Sequence, residues 1–247
     1  MKRTANIILQ GKGGVGKSFI SSLIAQYFNE QRGNNESIIC VDTDPNNMTF
    51  STIPALNAVH LELFENDILD TRKFDTLVMH MLENEDKDFV IDNGATTFNP
   101  LIQYIFENDT FATLADKFEV ILHVPIVGGE AQIDTINGFF QLFEKWPTVK
   151  FVVWVNEFQG RIKDEDGNEF EAMDIYKKNK KNIFAVVYID AQNPQTFGRD
   201  IEDMKKAKLT FAEVMQDARF NVIAKQRLKM FKDKIFGRLE VVYGKVA

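Results

Sequence analysis

Eight residues near the start of this 247-residue chain have the types and spacing to hold a phosphate chain: Gly11-Lys12-Gly13-Gly14-Val15-Gly16-Lys17-Ser18. Glycine at 11 and 16, then Lys17 and Ser18, is the phosphate-binding loop pattern. The glycines let the backbone curl and aim its N–H groups at phosphate oxygens. The positive end of the following helix adds to that field. Lys17 would reach the β- and γ-phosphates, and the Ser18 hydroxyl would hold Mg²⁺. The candidate nucleotide contacts are therefore Gly11, Gly13, Gly14, Val15, Gly16, Lys17, Ser18 and Phe19.

The flanking residues supply the elements such a loop requires. Asn6-Ile7-Ile8-Leu9 reads as a buried strand leading in. Ile20, Leu23, Ile24, Tyr27 and Phe28 recur on one helix face leading out, and Gly33 closes that helix as a C-cap. A second apolar run, Ser37-Ile38-Ile39-Cys40-Val41, delivers Asp42-Thr43-Asp44-Pro45-Asn46 to a strand tip. Ligands of parallel sheets bind at that edge. Two carboxylates beside a Mg²⁺-triphosphate suit the orientation of water and the metal's second shell. Asp, Pro and Asn also favour plain turns. A third strand, Asp88-Phe89-Val90-Ile91-Asp92, ends on an acid able to hold a Mg²⁺ water, and Gly94 follows to offer its N–H to a γ-phosphate. The candidate metal set is thus Ser18, Asp42 and Asp92. Ala95-Thr96-Thr97 is placed to move with nucleotide state.

Further apolar runs at Val120–Pro125, Phe151–Asn156 and Ile183–Asp190 complete a sheet. Val59–Phe64 alternates as a short edge strand would, and Thr71–Glu83 reads as a helix with Phe74, Leu77, Val78 and Met81 on one face. Gly128-Gly129 opens a helix with apolar spacing at Ile133, Ile136, Phe140 and Phe143. Asp166-Gly167 marks a hairpin or loop. The expected fold is α/β, with a twisted, mainly parallel sheet between two helical layers in a three-layer α/β/α arrangement, and one domain over 1–247.

Composition narrows the classes. A net charge of −7 argues against an overall basic nucleic-acid binder. The single Cys40 excludes an internal disulfide framework and a cysteine metal site, and the three histidines lack ligand spacing. His123 reads as a satisfied core residue. Met1-Lys2-Arg3-Thr4 runs straight into a strand, and no apolar run reaches membrane-spanning length, so the cytoplasm is the expected place.

The run Lys12–Ser18 resembles the deviant phosphate-binding loop of the ParA/MinD family, which includes the nitrogenase iron protein. Asp42-Thr43-Asp44-Pro45 resembles that family's Asp-X-Asp-Pro segment. The resemblance implies an ATP- and Mg²⁺-dependent homodimer in which Lys12 reaches the nucleotide of the partner subunit. It implies that Asp44 activates the attacking water, that Asn156 meets the purine ring, and that hydrolysis is slow and gated by dimerisation or a partner. The catalytic candidates are then Lys12, Lys17 and Asp44. Where the family carries a Thr-Pro-Pro-like segment, this chain has Ala95-Thr96-Thr97, a departure in the switch. Absence of an Asn-Lys-X-Asp motif after Asn156 favours ATP over GTP. Later segments, Thr196–Asp200, Leu209-Thr210-Phe211 and Lys225–Lys229, are similar to a ParA-like group encoded among conjugative transfer genes. That similarity implies positioning or assembly in plasmid or mobile-element DNA transfer, with a protein of the conjugation apparatus as partner.

The stretch at about 210–240 reads as a basic amphipathic helix. Ala224, Leu228, Phe231, Ile235 and Leu239 recur at helical spacing beside Lys225, Arg227, Lys229, Lys232, Lys234 and Arg238. Three readings stand: contact with an anionic membrane at its inner face, contact with DNA phosphates, or packing on the sheet with a solvated basic side. Two other functions also stand: a nucleotide-dependent scaffold with little hydrolysis, and a metabolic enzyme of the dethiobiotin synthetase-like type.

Overall fold

The computed structural model describes residues 2–33 and 35–244. The expected domain bounds at Met1 and Ala247 lie outside the described residues. Strands β1 (Arg3–Ile8), β2 (Ile38–Asp42) and β3 (Val59–His60) precede a small hairpin, β4 (Phe64–Glu65) with β5 (Ile68–Leu69). Strands β6 (Asp88–Asp92), β7 (Phe118–Val127), β8 (Lys150–Asn156) and β9 (Ile183–Ile189) follow. Seven of them form one sheet in the order β3-β2-β6-β1-β7-β8-β9, and every neighbouring pair is parallel. β1 sits at the centre, so the loop that leaves it emerges mid-sheet, where strand order reverses and ligands of such sheets bind.

The helices are α1 (Lys17–Arg32), α2 (Lys73–Glu83), α3 (Phe98–Glu107), α4 (Thr110–Ala115), α5 (Gln132–Lys145), α6 (Asp174–Asn179), α7 (Arg199–Lys206), α8 (Phe211–Gln216) and α9 (Val222–Tyr243). They divide between the two faces. In β8, Phe151, Val153 and Val155 enter one core with α2 to α6, while Val152 and Trp154 enter the other with α1 and α7 to α9. With both faces covered, the strands read as continuous apolar runs rather than alternating ones.

Three local expectations need correction. Of the alternating stretch Val59–Phe64, only Val59–His60 joins the main sheet; Phe64 pairs instead with Leu69 in the β4–β5 hairpin, whose turn is left-handed Asn66 and Asp67. The buried stripe of α5 is Thr135, Phe139, Leu142 and Phe143, and Ile133 is 71% exposed. Ile136 and Phe140 are partly buried against the same core, so Ile133, just after the 3₁₀ turn at Gly129–Ala131, is the one member of the expected face left exposed. The segment 210–240 is two helices. Thr210 and Glu213 form a reciprocal capping box that starts α8, and Asn221 caps α9 by accepting from the Ala224 N–H.

Of the three readings of the C-terminal helix, the structure has the packed one. Leu228, Phe231, Ile235, Phe236 and Leu239 are all buried in the core shared with α1. The apolar face offered to a membrane is therefore already covered. The basic side is largely paired: Arg227 with Asp200 at 2.6 Å, Lys232 with Glu30 at 2.7 Å, and both Lys234 and Arg238 with Asp190 at 2.8 Å.

Asp88, at the start of β6, is fully buried and ties three elements together. It accepts from the Thr4 N–H at 2.8 Å and the Thr4 hydroxyl at 2.9 Å, and pairs with Arg3 at 3.3 Å and Arg32 at 2.9 Å. Removing it orphans buried donors. We expect Asp88→Ala to cost about 2–4 kcal/mol, lowering the melting temperature by roughly 10 °C, read by calorimetry.

Asp190 anchors α9 to the end of β9. Its partial burial opposes ionisation, but Arg238 and Lys234 hold its carboxyl below the usual range. A depressed carboxylate contributes stability above its unfolded-state pKa and loses it as pH falls through the folded one. Asp190→Asn should melt below the wild type at pH 7, and the gap should close below about pH 4. A constant gap in thermal scans across pH would refute the assignment.

Candidate functional site

The loop from Gly11 to Gly16 joins the tip of β1 to the N-terminus of α1. Its curl requires left-handed backbone at Gly14 (φ 75°) and Gly16 (φ 95°). A Cβ at Gly16 would also stand 3.0 Å from the Asn156 side-chain nitrogen. Gly16 is the N-cap of α1 and has no side chain to cap it, so the first N–H groups of the helix are left for a ligand.

The loop is gripped by its carbonyls. Lys17 Nζ donates to Lys12 O at 3.0 Å, Gln159 Nε2 to Gly14 O at 3.0 Å, and Asn156 Nδ2 to Val15 O at 3.1 Å. Gln10, just before the loop, donates to Pro125 O and Thr135 O and so fastens it to β7 and α5. Asn156 therefore sits under the loop. Its amide oxygen accepts from the Phe158 N–H, so in this arrangement it braces the loop.

Lys17 is buried, and that burial lowers its pKa against the opposing pull of Asp92 and Asp44. Asp92, at the tip of β6, is 1% exposed. One of its oxygens accepts from the Ser21 hydroxyl at 2.9 Å, and Oδ2 has no hydrogen-bond partner among the described residues. Burial pushes the Asp92 carboxyl up to about 7, with the Ser18 and Ser21 hydroxyls and Lys17 opposing and the Asp42 charge adding. A buried carboxylate oxygen without a donor, beside the Ser18 hydroxyl, fits a hydrated divalent cation. Among the described residues no cluster of three or more His, Cys, Asp or Glu forms a metal cage.

Asp42 is in register with Asp92 on the neighbouring strand. Its oxygens accept from the Asp44 N–H at 3.1 Å and the Ser51 N–H at 2.9 Å, so it organises the loop that carries Asp44. Asp44 Oδ1 accepts from the N–H groups of Asn46 and Asn47. It packs on Gly94, where a Cβ would meet Asp44 Cα at 2.9 Å. Buried Asn93 joins the two loops: its side-chain oxygen accepts from the Thr43 and Thr97 hydroxyls. The expected switch residues Ala95-Thr96-Thr97 thus adjoin the Asp44 loop, with Thr97 buried under it.

Lys12 lies at the loop's outer edge and pairs with Asp134 on α5 at 2.8 Å, which raises its pKa. A cleft of about 350 Å³ opens beside the loop. It is lined by Lys17, Ser18 and Phe19, by Asp44 and Ala95, and by Met204, Lys205, Lys208 and Leu209 from the end of α7. The expected contacts Gly11 to Phe19, Asp44, Asp92 and Gly94 are brought together around this one strand edge. Sequence reasoning missed Gln10, Ser21, Gln159, Asp134, Lys205 and Lys208. Gln10 and Gln159 flank expected positions and carried the only signal available, a long amide next to a motif.

The description CbiA, the CobQ/CobB/MinD/ParA nucleotide binding domain, matches residues 7–225. A protein TraL of Escherichia coli is 40% identical over 237 residues, covering 95% of this chain and 96% of that one. The chain shares its fold with MinD of Aquifex aeolicus. In the MinC:MinD cell division protein complex the TM-score is 0.55 at 15% identity, over 95% of this chain and 96% of that one. For MinD alone it is 0.52 at 16% identity, over 95% and 97%. An all-parallel sheet, a phosphate-binding loop at its centre and a match across most of the sequence agree: the chain belongs to the CobQ/CobB/MinD/ParA family of P-loop nucleotide-binding proteins.

Proposed function

We propose that this chain is a Mg²⁺-dependent ATPase, one ParA-like domain, whose ATP-bound form is a homodimer. We propose that it works in positioning or assembly during conjugative DNA transfer, together with a protein of the transfer apparatus. The observation that carries the nucleotide reading is the buried Asp92 carboxyl beside Ser18 and Lys17, whose Oδ2 has no hydrogen-bond partner among the described residues. Such a group is costly unless a cation answers it.

Bound Mg²⁺ would neutralise charge on the phosphate chain; Ser18 would ligate it, and Asp92 and Asp42 would stand behind its waters. The uncapped N-terminus of α1 and Lys17 would bind the phosphate oxygens. Gly94 would place an N–H at the γ-phosphate. Asp44 would orient water for attack on phosphorus, and its two backbone donors hold it in the loop until that loop shifts. That restraint supports slow basal turnover. Lys12 would leave Asp134 to meet the nucleotide of a second copy. The pair is solvent-exposed and screened, so the exchange is accessible. Similarity to TraL over nearly the whole chain supports the transfer role.

The test is single-turnover ATP hydrolysis with and without Mg²⁺. Asp44→Ala should lower turnover by about 100-fold while leaving ATP affinity within a few-fold. Asp92→Asn should weaken the Mg²⁺ dependence of ATP binding itself. Unchanged turnover in Asp44→Ala would remove Asp44 from the reaction.

A further inference from the structure

We propose that Lys205 and Lys208 form a second phosphate-binding element, on the wall of the nucleotide cleft that faces the loop. The inference rests on the nucleotide reading above and adds two residues and a ligand group to it. Both lysines line the same cleft as Lys17 and Ser18, and the only acid among its lining residues is Asp44. Three ammonium groups face one lining carboxylate and the buried Asp92 behind it, an excess of positive charge that suits an anion.

Lys205 lies in the last turn of α7 and Lys208 two residues past its end, and both line the cleft. Among the described residues neither makes an ion pair, whereas the intervening Lys206 pairs with Glu202 at 3.9 Å. The backbone carries a second, independent sign. Lys208 is left-handed, at φ 57°. It closes α7 in a Schellman arrangement: Lys208 N–H donates to Lys205 O at 3.0 Å and Leu209 N–H to Met204 O at 3.2 Å. That position favours glycine, because a Cβ there is disfavoured. A lysine at this point costs the fold something a glycine would not. What it supplies in exchange is an ammonium at the cleft. Backbone strain of this kind collects at functional sites.

The occupant that fits is the phosphate chain of the nucleoside triphosphate. Lys17 and the N-terminus of α1 hold it from the loop side, and Lys205 and Lys208 close on it from the other. The two lysines then add to affinity and to its salt dependence, without touching the reacting water.

The experiment is titration of a fluorescent ATP analogue into wild type, Lys17→Ala, Lys205→Gln, Lys208→Gly and Lys208→Arg at low and moderate salt, with melting curves alongside. Lys208→Gly should raise the melting temperature yet weaken ATP binding about fivefold and flatten its salt dependence. Lys205→Gln should weaken binding similarly, and Lys208→Arg should retain it. A more stable Lys208→Gly with wild-type affinity and salt dependence would make Lys208 a helix cap only and overturn the proposal. Loss of binding in Lys17→Ala alone would leave the nucleotide reading standing while this one fails. No binding by the wild type would overturn both.

Discussion

A loop whose amides must point at a ligand has to satisfy its carbonyls elsewhere. Here the carbonyls of Lys12, Gly14 and Val15 are taken by side chains of Lys17, Gln159 and Asn156. Two of those side chains come from the end of β8, more than 140 residues away in sequence. Gln10 ties the loop's entry to β7 and α5. The curl at Gly14 and Gly16 is therefore imposed by the sheet beneath it. Preorganised donors of this kind bind an anion without reordering the chain.

The same economy of partners explains the acids. Asp88 and Asp42 are fully buried, and each has donors for its oxygens: Asp88 from Thr4 and two arginines, Asp42 from two backbone N–H groups. Asp92 is equally buried, and its Oδ2 has no partner among the described residues. Among three acids in one sheet, the one left incomplete is the one beside Ser18. Asn93 and the Asp44–Gly94 contact then couple the two loops on either side of it, so that a change at one strand tip reaches the other.

How far the sequence could be read follows from the range of the interactions. The strands, α1 and the phosphate loop rest on local apolar runs and glycine spacing, and these were legible. The exposure of Ile133 at the start of α5 was not, because apolar spacing does not say where along the helix contact with the core begins. The break between α8 and α9 was hidden under continuous amphipathic spacing, although the Thr210 and Glu213 pair that starts α8 is a readable capping box. The Asn156 position was legible, but its bracing contact with Val15 was not, since nothing local links residues 141 apart. Lys205 and Lys208 sit in and just after a strongly polar helix, where two more lysines carry no signal until the fold brings them into the lining of the cleft that holds Lys17.

The central claim is that a second copy completes the site through Lys12. The most direct measurement is the solution mass by light scattering without nucleotide, with ADP and with ATP, for the wild type and for Lys12→Ala. A dimer is expected with ATP alone, and a Lys12→Ala protein that stays monomeric in all three conditions while still binding ATP. A mass that ignores nucleotide, or an ATP-bound dimer that survives the loss of Lys12, would contradict it.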